Sequence, residues 1–587
     1  MFFNNYKLAE SHQHGENELN FQLEVFMKFF KFVSVLLLCM AAVLPLAAGG
    51  GQQGRTQPAG NSAAIVSSPG QLPIVREPVT LSLGIQTFPN VTDYQNNYLT
   101  RYAEQKTGIK IDFHFFNLNE LAMQFQLMVS ANEKLPDILV GGDSAARTLP
   151  WADLGDQGVF IDLAPYYERQ AYFYNEKMKE ISQYERDLIR LQTISASGKR
   201  YAWPQYEANS INYFWGKNYI NKTWLDKLGL KVPTTTEEFY NVLVAFRDRD
   251  PNGNGQKDEI PWLGGLVTNA QEALAFIINA FVFYEYRPAN ESLLNATNGK
   301  LWTPWTTEEY REALRFMNRL MNEGLASPSI FSITSPELIP LCSYQPGEPA
   351  RIGVVSAHPS TVFLPETPAV YEYQTLASLT GPKGVNNYPK EPPVVSAYSF
   401  ITKDCANPEA AFRWLDFFWE KDAAMVSRFG EKDVDWRWVN PNEGKLSCVG
   451  LPALMEEINP LWNLSTNKHW NDKVGSGLFV STDMKIKEEG TWNGARYDLY
   501  QDQNINDGKD AAEKVRRILY TREEEDSIRE IRNSINTYRE ECLALFCTGA
   551  MSLDRDWNTY LGQLDRMGLQ RYLETAQRAY TRQTTGR

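Results

Sequence analysis

The chain has few of the side chains that bind transition metals, with five histidines and six cysteines among 587 residues. It contains no C-x-x-C pair and no H-E-x-x-H motif, which argues against a zinc site and a thiol redox centre. Basic residues are outnumbered by acidic ones, and the formal net charge of -13 repels a phosphate backbone. Because no local basic stripe offsets this charge, we expect no nucleic-acid partner.

Aromatic side chains, in contrast, are abundant, with 15 Trp, 29 Tyr and 30 Phe. Hydrophobic residues make up 43% of the chain and charged residues 22%, which is the composition of a folded globular protein and excludes disorder throughout. At roughly 150 residues per domain, the length predicts about four small domains or two large ones.

Residues 27–49 are predicted to form a secretory signal peptide, because lysines precede an apolar run and small residues follow it. Met27 opens this segment, so we interpret residues 1–26 as an upstream extension that is not part of the native protein. An uncleaved membrane anchor is the alternative, but Pro45 and the small residues after it favour cleavage. We therefore expect a periplasmic or otherwise extracytoplasmic protein.

The end of the signal peptide is similar to a lipoprotein box in which Gly49 occupies the position of the acceptor cysteine. We therefore expect no lipid anchor. Residues 50–75 are rich in Gly, Gln, Ser and Ala, and this composition predicts a flexible linker.

The hydrophobic pattern then changes between strand and helix periods, which predicts a β-α-β beginning. The predicted elements are strands at 79–84, 109–116 and 135–140 and helices at 96–106 and 119–131. Such alternation implies a mainly parallel sheet covered by helices. Ligands of such sheets lie beyond the carboxyl ends of the strands, where Asp143 falls.

Helical patterns dominate after about residue 223, and one helix begins with the capping box Thr235-x-x-Glu238. Strands return at 351–356 and 394–402. This order predicts an α/β protein of two interleaved lobes, and the cleft between lobes is the default ligand site. The predicted N-terminal α/β lobe comprises residues 76–205 and about 346–405, and the helix-rich C-terminal lobe comprises 206–345 and about 406–587.

Residues 248–259 carry oxygen-bearing side chains at alternate positions, as a calcium-binding loop requires. One register runs from Asp248 to Glu259 with Gly253 at the bend. We favour a shorter register that starts at Asp250, because alternate residues then point inward around the bend. Its predicted ligands to a structural Ca²⁺ are Asp250, Asn252, Asn254, Gln256 through its carbonyl, Asp258 and Glu259. A solvated turn without metal is the alternative.

Short stretches at 201–206, 213–215, 436–438 and 492–497 combine aromatic rings with amides and charges. Sugar-binding sites use this mixture, because a sugar stacks its C–H face on a ring and offers hydroxyl groups to polar side chains. The predicted ligand-binding residues are Trp203, Tyr206, Trp215, Asp143, Trp436, Trp438, Trp492 and Arg496. For any single ring, ordinary packing is the alternative.

The run from Trp224 to Thr235, WLDKLGLKVPTT, continues into the loop at 250–259 and resembles the extracellular solute-binding proteins of bacterial ABC importers. The similarity covers about 75–585 and points to the oligosaccharide branch, with its alginate- and aldouronate-binding proteins. It implies a type II periplasmic-binding-protein fold with two lobes joined by a hinge, calcium on the loop, and delivery of sugar to a membrane permease. The sequence departs from the family at 429–433, where Tyr-Gly-x-Glu-Gly is usual.

We therefore expect a monomeric binding protein, not an enzyme, that captures an oligosaccharide in the interlobe cleft and passes it to an ABC transporter permease. A secreted glycan-cleaving hydrolase or lyase is one alternative, and a peptide-binding protein of the same fold is another. A hydrolase needs two carboxylates about 5 to 9.5 Å apart. The 71 Asp and Glu residues make accidental pairs unavoidable, and the sequence singles out none.

Overall fold

A computed structural model describes residues 65–117, 119–141, 148–208, 217–265, 273–285, 294–365, 367–390, 394–461, 464–471, 474–477, 481–500, 505–510 and 513–585. These residues belong to one contact unit, Asn61–Arg587. The predicted upstream extension, signal peptide and most of the linker lie outside the described residues, as do Asp143 and Trp215.

Two mixed sheets organise the chain, a five-stranded sheet in the order β2-β1-β3-β11-β4 and a four-stranded sheet in the order β10-β5-β9-β6. The smaller pairs β12-β13 and β7-β8 lie apart from them. The strands are β1 (Val79–Gln86), β2 (Ile109–Phe116), β3 (Ile138–Val140), β4 (Ala202–Glu207), β5 (Asn218–Asn221), β6 (Ile260–Gly264), β7 (Asn295–Thr297), β8 (Lys300–Trp302), β9 (Ile352–Ser356), β10 (Tyr373–Thr375), β11 (Val394–Ile401), β12 (Trp436–Trp438) and β13 (Met455–Glu457).

Helices cover both sheets and form most of the C-terminal part. The described helices are α1 (Tyr98–Thr107), α2 (Leu121–Ser130), α3 (Trp151–Asp156), α4 (Ala164–Arg169), α5 (Phe173–Glu180), α6 (Gln183–Thr193), α7 (Lys222–Leu228), α8 (Thr236–Asp248), α9 (Ala273–Ile278), α10 (Glu308–Asn322), α11 (Ser335–Cys342), α12 (Pro359–Val362), α13 (Ala369–Glu372), α14 (Pro408–Phe417), α15 (Lys421–Phe429), α16 (Ser481–Met484), α17 (Trp492–Asp498), α18 (Arg522–Thr548), α19 (Trp557–Arg566) and α20 (Leu569–Thr585). Among the described helices, none has the length and apolarity needed to cross a bilayer.

The first sheet begins with the predicted β-α-β unit, in which β1 pairs in parallel with β2 and β3. Strand β11 then returns from far along the chain and lies antiparallel between β3 and β4. Leu83 and Ile138 are fully buried on one face and Leu139 and Phe400 on the other, so the sheet has a hydrophobic core on each side. We call this sheet and its two cores the first lobe.

The second sheet pairs β6 in parallel with β9, while β5 lies antiparallel to β9 and β10 antiparallel to β5. Its core contains the fully buried Phe239 and Trp262. Helix α8 begins at the predicted capping box, in which Thr235 and Glu238 bond reciprocally to backbone N–H groups. We call this sheet and its core the second lobe.

The structure distributes several segments between the lobes differently from the sequence-based boundaries. Strands β9 and β10 lie in the second sheet, whereas α14 and α15 pack on the core of the first lobe. Residues 65–75, assigned to the flexible linker, pack there as well, because Ile74 and Val75 are buried and Arg413 donates to the carbonyl of Ser67 at 2.9 Å. These assignments depend on long-range packing that local sequence patterns do not contain.

The chain passes from the first sheet to the second between β4 and β5, which we call the first crossing, and returns between β10 and β11, the second crossing. Strand β4 is parallel to β1 and β3, so the first crossing leaves the carboxyl edge of the first sheet. It arrives at the carboxyl edge of the second sheet, because the first residue of β5 pairs with the last residue of β9. The second crossing joins the same two edges, from the end of β10 to the start of β11.

Gly381, on the second crossing, should not tolerate a side chain. A Cβ there would lie 1.8 Å from the carbonyl oxygen of Ala280. We expect Gly381→Ala to cost about 1–3 kcal/mol of stability through overpacking, measured as a lowered Tm.

Gly562→Ala is the matched control, because Gly562 lies inside α19 and the atom nearest to an added Cβ is 3.7 Å away. This variant should gain roughly 0.5–1 kcal/mol from the higher helix propensity of alanine. Equal melting temperatures for Gly381→Ala and the wild type would contradict the close contact.

Candidate ligand site and calcium loop

The carboxyl edge of the second sheet contains a buried polar network. Trp262 Nε1 donates to Ser356 Oγ at 2.9 Å, and the Ser356 hydroxyl donates to Asn218 Oδ1 at 2.5 Å. Gly264, the last residue of β6, allows this approach, since a Cβ there would lie 2.6 Å from the Ser356 carbonyl oxygen. The network joins the first residue of β5 to the last residue of β9 and links both, through Ser356, to Trp262 in the middle of β6.

Tyr500 lies over this edge, beside Lys217 and His358. The Lys217 Nζ atom is 5.4 Å from the centroid of the Tyr500 ring, and the His358 ring is 5.4 Å from it. Thr375 at the end of β10 donates to the carbonyl of Leu499 at 2.8 Å. These contacts anchor the residues that follow α17 to the carboxyl edge of the second sheet.

Helix α17 brings together two of the predicted ligand residues, Trp492 and Arg496. The Arg496 guanidinium carbon lies 5.2 Å from the Trp492 ring and 5.0 Å from the Tyr497 ring. The indole Nε1 of Trp492 and the Nε of Arg496 are both buried and have no hydrogen-bond partner in the described part of the chain. Buried donors nearly always have an acceptor in native proteins, so both groups are available to an oxygen-rich molecule.

Helix α17 also contacts a segment that packs on the first lobe. Tyr497 and Tyr500 form a small buried cluster with Cys448, and the backbone N–H of Cys448 donates to the carbonyl of Lys485 at 3.0 Å. Lys485 in turn pairs with Glu457 at 2.7 Å, with both side chains 11% exposed. The helix therefore lies between the edge of the second sheet and a segment of the first lobe.

Trp203 and Tyr206 lie in the core rather than in a loop. We interpreted 201–206 as loop-like from the sequence, but residues 202–206 lie in β4. Pro204 is tolerated there because β4 is an edge strand of its sheet. Trp203 is fully buried, stacks on Tyr167 at 5.4 Å and donates from Nε1 to the Gly475 carbonyl at 3.1 Å. A ring without exposed surface cannot stack on a sugar, so in this arrangement Trp203 packs the first lobe.

The hairpin of β12 and β13 places Trp436 and Trp438 differently. Trp436 is fully buried, and its Nε1 donates to the carbonyl of Gly430 at 3.0 Å. Trp438 is half-buried, with its Nε1 bonded to Asp422 Oδ1 at 2.8 Å and the Lys421 ammonium 4.1 Å from its ring. Both indole N–H groups therefore have protein partners, unlike that of Trp492.

Sequence reasoning missed Lys217, His358 and Tyr500, which meet at the strand edge. Only strand pairing brings the three together, although the density of aromatic residues at 492–500 was a local signal for Tyr500.

The loop predicted to bind calcium is closed by Asp250. Its carboxylate accepts from the backbone N–H of Gly253 at 2.9 Å and from that of Gly255 at 3.0 Å. Asp248 instead ends α8 and pairs with Arg247 at 2.8 Å, away from these turns. This geometry fits the shorter register, in which Asp250 is the first ligand.

The two asparagines of the loop face Asp258. Their side-chain amides both donate to Asp258 Oδ1 at 3.0 Å, and their own oxygens accept from the backbone N–H groups of Asn254 and Gln256 at 2.9 and 2.7 Å. The side chains of Asn252, Asn254 and Asp258 are thus turned toward one point.

Glu259 is the residue of this loop whose environment most favours a cation. Both of its carboxylate oxygens are buried without a hydrogen-bond partner in the described part of the chain. Burial raises the pKa of Glu259, and the negative charges of Asp250 and Asp258 raise it further. Because an unpaired buried carboxylate is costly, a divalent cation among these oxygens would stabilise the loop.

Within the described ranges, no group of three or more His, Cys, Asp or Glu side chains is arranged to hold a metal ion. The carboxylates of Asp250, Asp258 and Glu259 thus do not form a metal site by themselves, and a cation on the loop would also need the amide and carbonyl oxygens. The loop precedes β6 and so lies at the amino edge of the second sheet. With a rise of about 3.3 Å per residue, the length of β6 separates it from the carboxyl edge, and a bound cation would not touch a ligand there.

Residues 88–425, more than half of the chain, match the family described as bacterial extracellular solute-binding protein. The chain belongs to this family. The family relationship identifies this solute-binding protein as a binding component rather than an enzyme, as the sequence predicted, and the family is extracellular.

The fructooligosaccharide ABC transporter substrate-binding protein FusA of Streptococcus pneumoniae is 24% identical over 580 residues, covering 94% of this chain and 98% of FusA. Its structure in complex with kestose has a TM-score of 0.66 at 22% identity, covering 86% of this chain and 100% of that one. Another FusA structure is of an EF-hand mutant with fructo-nystose.

Two further structures share the fold of this solute-binding protein. An extracellular solute-binding protein from Bifidobacterium longum subsp. infantis has a TM-score of 0.67 at 21% identity, covering 86% of this chain and 98% of that one. The alginate-binding protein AlgQ2, solved without calcium ion, has a TM-score of 0.58 at 20% identity, covering 86% and 99%. The predicted α/β fold of periplasmic binding proteins, with two main sheets, is confirmed.

The burial of Trp203 generates a direct prediction. Because its ring is fully buried, Trp203→Ala should cost about 3–5 kcal/mol of stability, measured from the midpoint of urea unfolding. Trp302→Ala is the control, since Trp302 is half-buried and should cost less. A Trp203→Ala protein with wild-type stability and lost sugar affinity would show that the ring contacts ligand instead.

Proposed function

We propose that this solute-binding protein is the extracytoplasmic receptor of an ABC importer and captures an oligosaccharide between its two lobes. The observation that carries the proposal is the pair of buried, unpartnered donors on α17, Trp492 Nε1 and Arg496 Nε. A sugar offers hydroxyl oxygens to such donors and a C–H face to the Trp492 ring. In the predicted set, this pair combines the aromatic face of Trp492 with two donors that lack a partner in the described part of the chain.

The location of α17 supports this proposal. Both crossings of the chain join the carboxyl edges of the two sheets, which is where ligands of open α/β sheets bind. Residues that follow α17 rest on the second of these edges, and Tyr497 contacts the segment around Cys448. A ligand held by α17 would therefore contact both lobes, and hinge closure around it would bury it further.

The comparison with FusA supports an oligosaccharide as the ligand class, since the similarity extends over nearly the full length of both chains. By the same analogy, the partner that receives the sugar is an ABC transporter permease. The residue boundaries of the lobes are part of this proposal, with the first lobe formed around β1–β4 and β11 and the second around β5, β6, β9 and β10.

Removing the α17 donors should weaken sugar binding without unfolding the protein. The ligand is sought by calorimetric titration with kestose, fructo-nystose and alginate oligosaccharides. For the sugar that binds, we expect Trp492→Phe to weaken affinity by roughly 5- to 30-fold, because a lost hydrogen bond to a buried donor is worth about 1–2 kcal/mol.

Trp302→Phe is the matched control, since the Trp302 Nε1 donates to Thr297 Oγ1 at 3.0 Å in the β7-β8 hairpin. If Trp492→Phe binds the sugar with the affinity of the wild type, α17 is not part of the ligand site. If the same sugars show new reducing ends after incubation with the protein, the glycan-cleaving alternative would be favoured instead.

We also propose that a structural Ca²⁺ binds the loop at 250–259. The side chains of Asp250, Asn252, Asn254, Asp258 and Glu259, with the carbonyl of Gln256, would hold it. The ion would supply the positive charge that the buried Glu259 carboxylate lacks. Two similar proteins support the same assignment, since one FusA structure is of an EF-hand mutant and the AlgQ2 structure was solved without calcium ion.

Neutralising Glu259 distinguishes a metal loop from an empty turn by the sign of its effect. If calcium binds, Glu259→Gln should lower Tm in calcium buffer and abolish the further loss that EDTA causes in the wild type. If no metal binds, the same change relieves an unpaired buried charge, and Tm should stay equal or rise.

Asp248→Asn is the control for the register, because Asp248 pairs with Arg247 outside the proposed ligand set. It should leave the response to EDTA unchanged. A wild-type melting curve that EDTA does not alter, together with no calcium by elemental analysis, would contradict the calcium proposal.

A further inference from the structure

Residues 513–520 form a segment without helix or strand, here called the strap, that belongs to the second lobe. Val515 and Ile518 are buried in its core. Gln583 of α20 accepts from the backbone N–H of Leu519 at 2.9 Å and donates to the carbonyl of Arg517 at 3.0 Å. The strap backbone is therefore fixed to the last helix.

Arg517 extends from the strap to the first lobe. Its Nη1 atom donates to the carbonyl of Leu191 at 2.9 Å and to that of Ile194 at 3.3 Å, at the carboxyl end of α6. Its guanidinium carbon lies 4.8 Å from the centroid of the Trp151 ring in α3. Helix α6 packs on β4 and β11, so these contacts join the strap to the first sheet. A guanidinium suits this position, because the carboxyl end of a helix attracts positive charge.

Arg516 binds on the other side of the strap, close to the second crossing. It pairs with Glu285 at 2.6 Å, with the two side chains 6% and 2% exposed. It also donates to the carbonyl of Lys390 at 3.0 Å and to the hydroxyl of Tyr184 on α6 at 3.3 Å. This buried arginine therefore ties the crossing, the strap and the amino end of α6 together.

We propose that the strap is a latch that sets the resting angle between the two lobes, with Arg516 as its fixed point and Arg517 as its releasable contact. Arg516 is the fixed point because separating a buried ion pair would leave two uncompensated charges. Arg517 is only half-buried, and both carbonyls that it binds can bond to water instead. A rotation of α6 along the strap would therefore break the contacts of Arg517 and the 3.3 Å bond from Arg516 to Tyr184, while the buried pair of Arg516 and Glu285 stays in place.

This inference rests on the proposed function only in assuming that the lobes move, so its test uses the protein without ligand. Spin labels on Lys179→Cys in α5 and Glu574→Cys in α20 report the distance between the lobes, since both positions are exposed. A Cys405→Ser background removes the one native cysteine that is not buried among those in the described residues.

We expect one narrow distance distribution in this labelled parent. Arg517→Ala should add a second population of at least roughly 10%. Arg566→Ala is the matched control, because Arg566 is an exposed arginine of α19 on the second lobe whose guanidinium bonds to Gln563 of its own helix at 2.7 and 3.0 Å. It should leave the distribution unchanged.

Arg517→Lys serves as a second variant should Arg517→Ala fail to fold. Lysine keeps the charge but not the planar fork, and it should give a smaller second population. Identical distributions for the folded Arg517 variants and the parent would overturn the latch. Because no sugar is present, that result would leave the oligosaccharide proposal intact, whereas a failed sugar screen would leave the latch intact.

Discussion

The arrangement of the whole molecule depends on one pairing, the insertion of β11 between β3 and β4. This strand arrives only after the chain has built β5, β6, β9 and β10 elsewhere. Its antiparallel pairing places Ser399 opposite Val140 of β3 and Val394 opposite Glu207 of β4. These two registers fix where the chain must return to the first sheet. A one-residue slip would turn Phe400 out of its core, so the burial of its side chains holds this register.

This pairing also determines which end of the second sheet is joined to the first sheet. Both crossings join carboxyl edges, so the network around Ser356 and the donors of α17 are brought to the junction of the lobes. The loop at 250–259 precedes β6 and therefore lies at the opposite edge. A cation there would stabilise the second lobe without contacting the ligand, and a sugar could bind and leave while the metal stays in place.

Local patterns predicted the features whose residues are contiguous. Strand β2 was predicted with its observed bounds, the capping box of Thr235 was read directly, and the oxygens of the loop at 250–259 follow one another along the chain. The stretch around Trp203 was misinterpreted, because Trp, Pro and Tyr suggest a loop until β11 pairs with it. Lys217 and His358 could not be found from sequence, since only the second sheet brings them to Tyr500.

The central claim is that the ligand binds at the carboxyl edges of the sheets, against α17. Hydrogen–deuterium exchange with and without a bound oligosaccharide measures this most directly, because protection follows the backbone that the ligand and lobe closure cover. The account predicts protection at 217–221, 356–358 and 492–500 and none in the loop at 250–259. Protection confined to segments away from both carboxyl edges, such as α20, would contradict it.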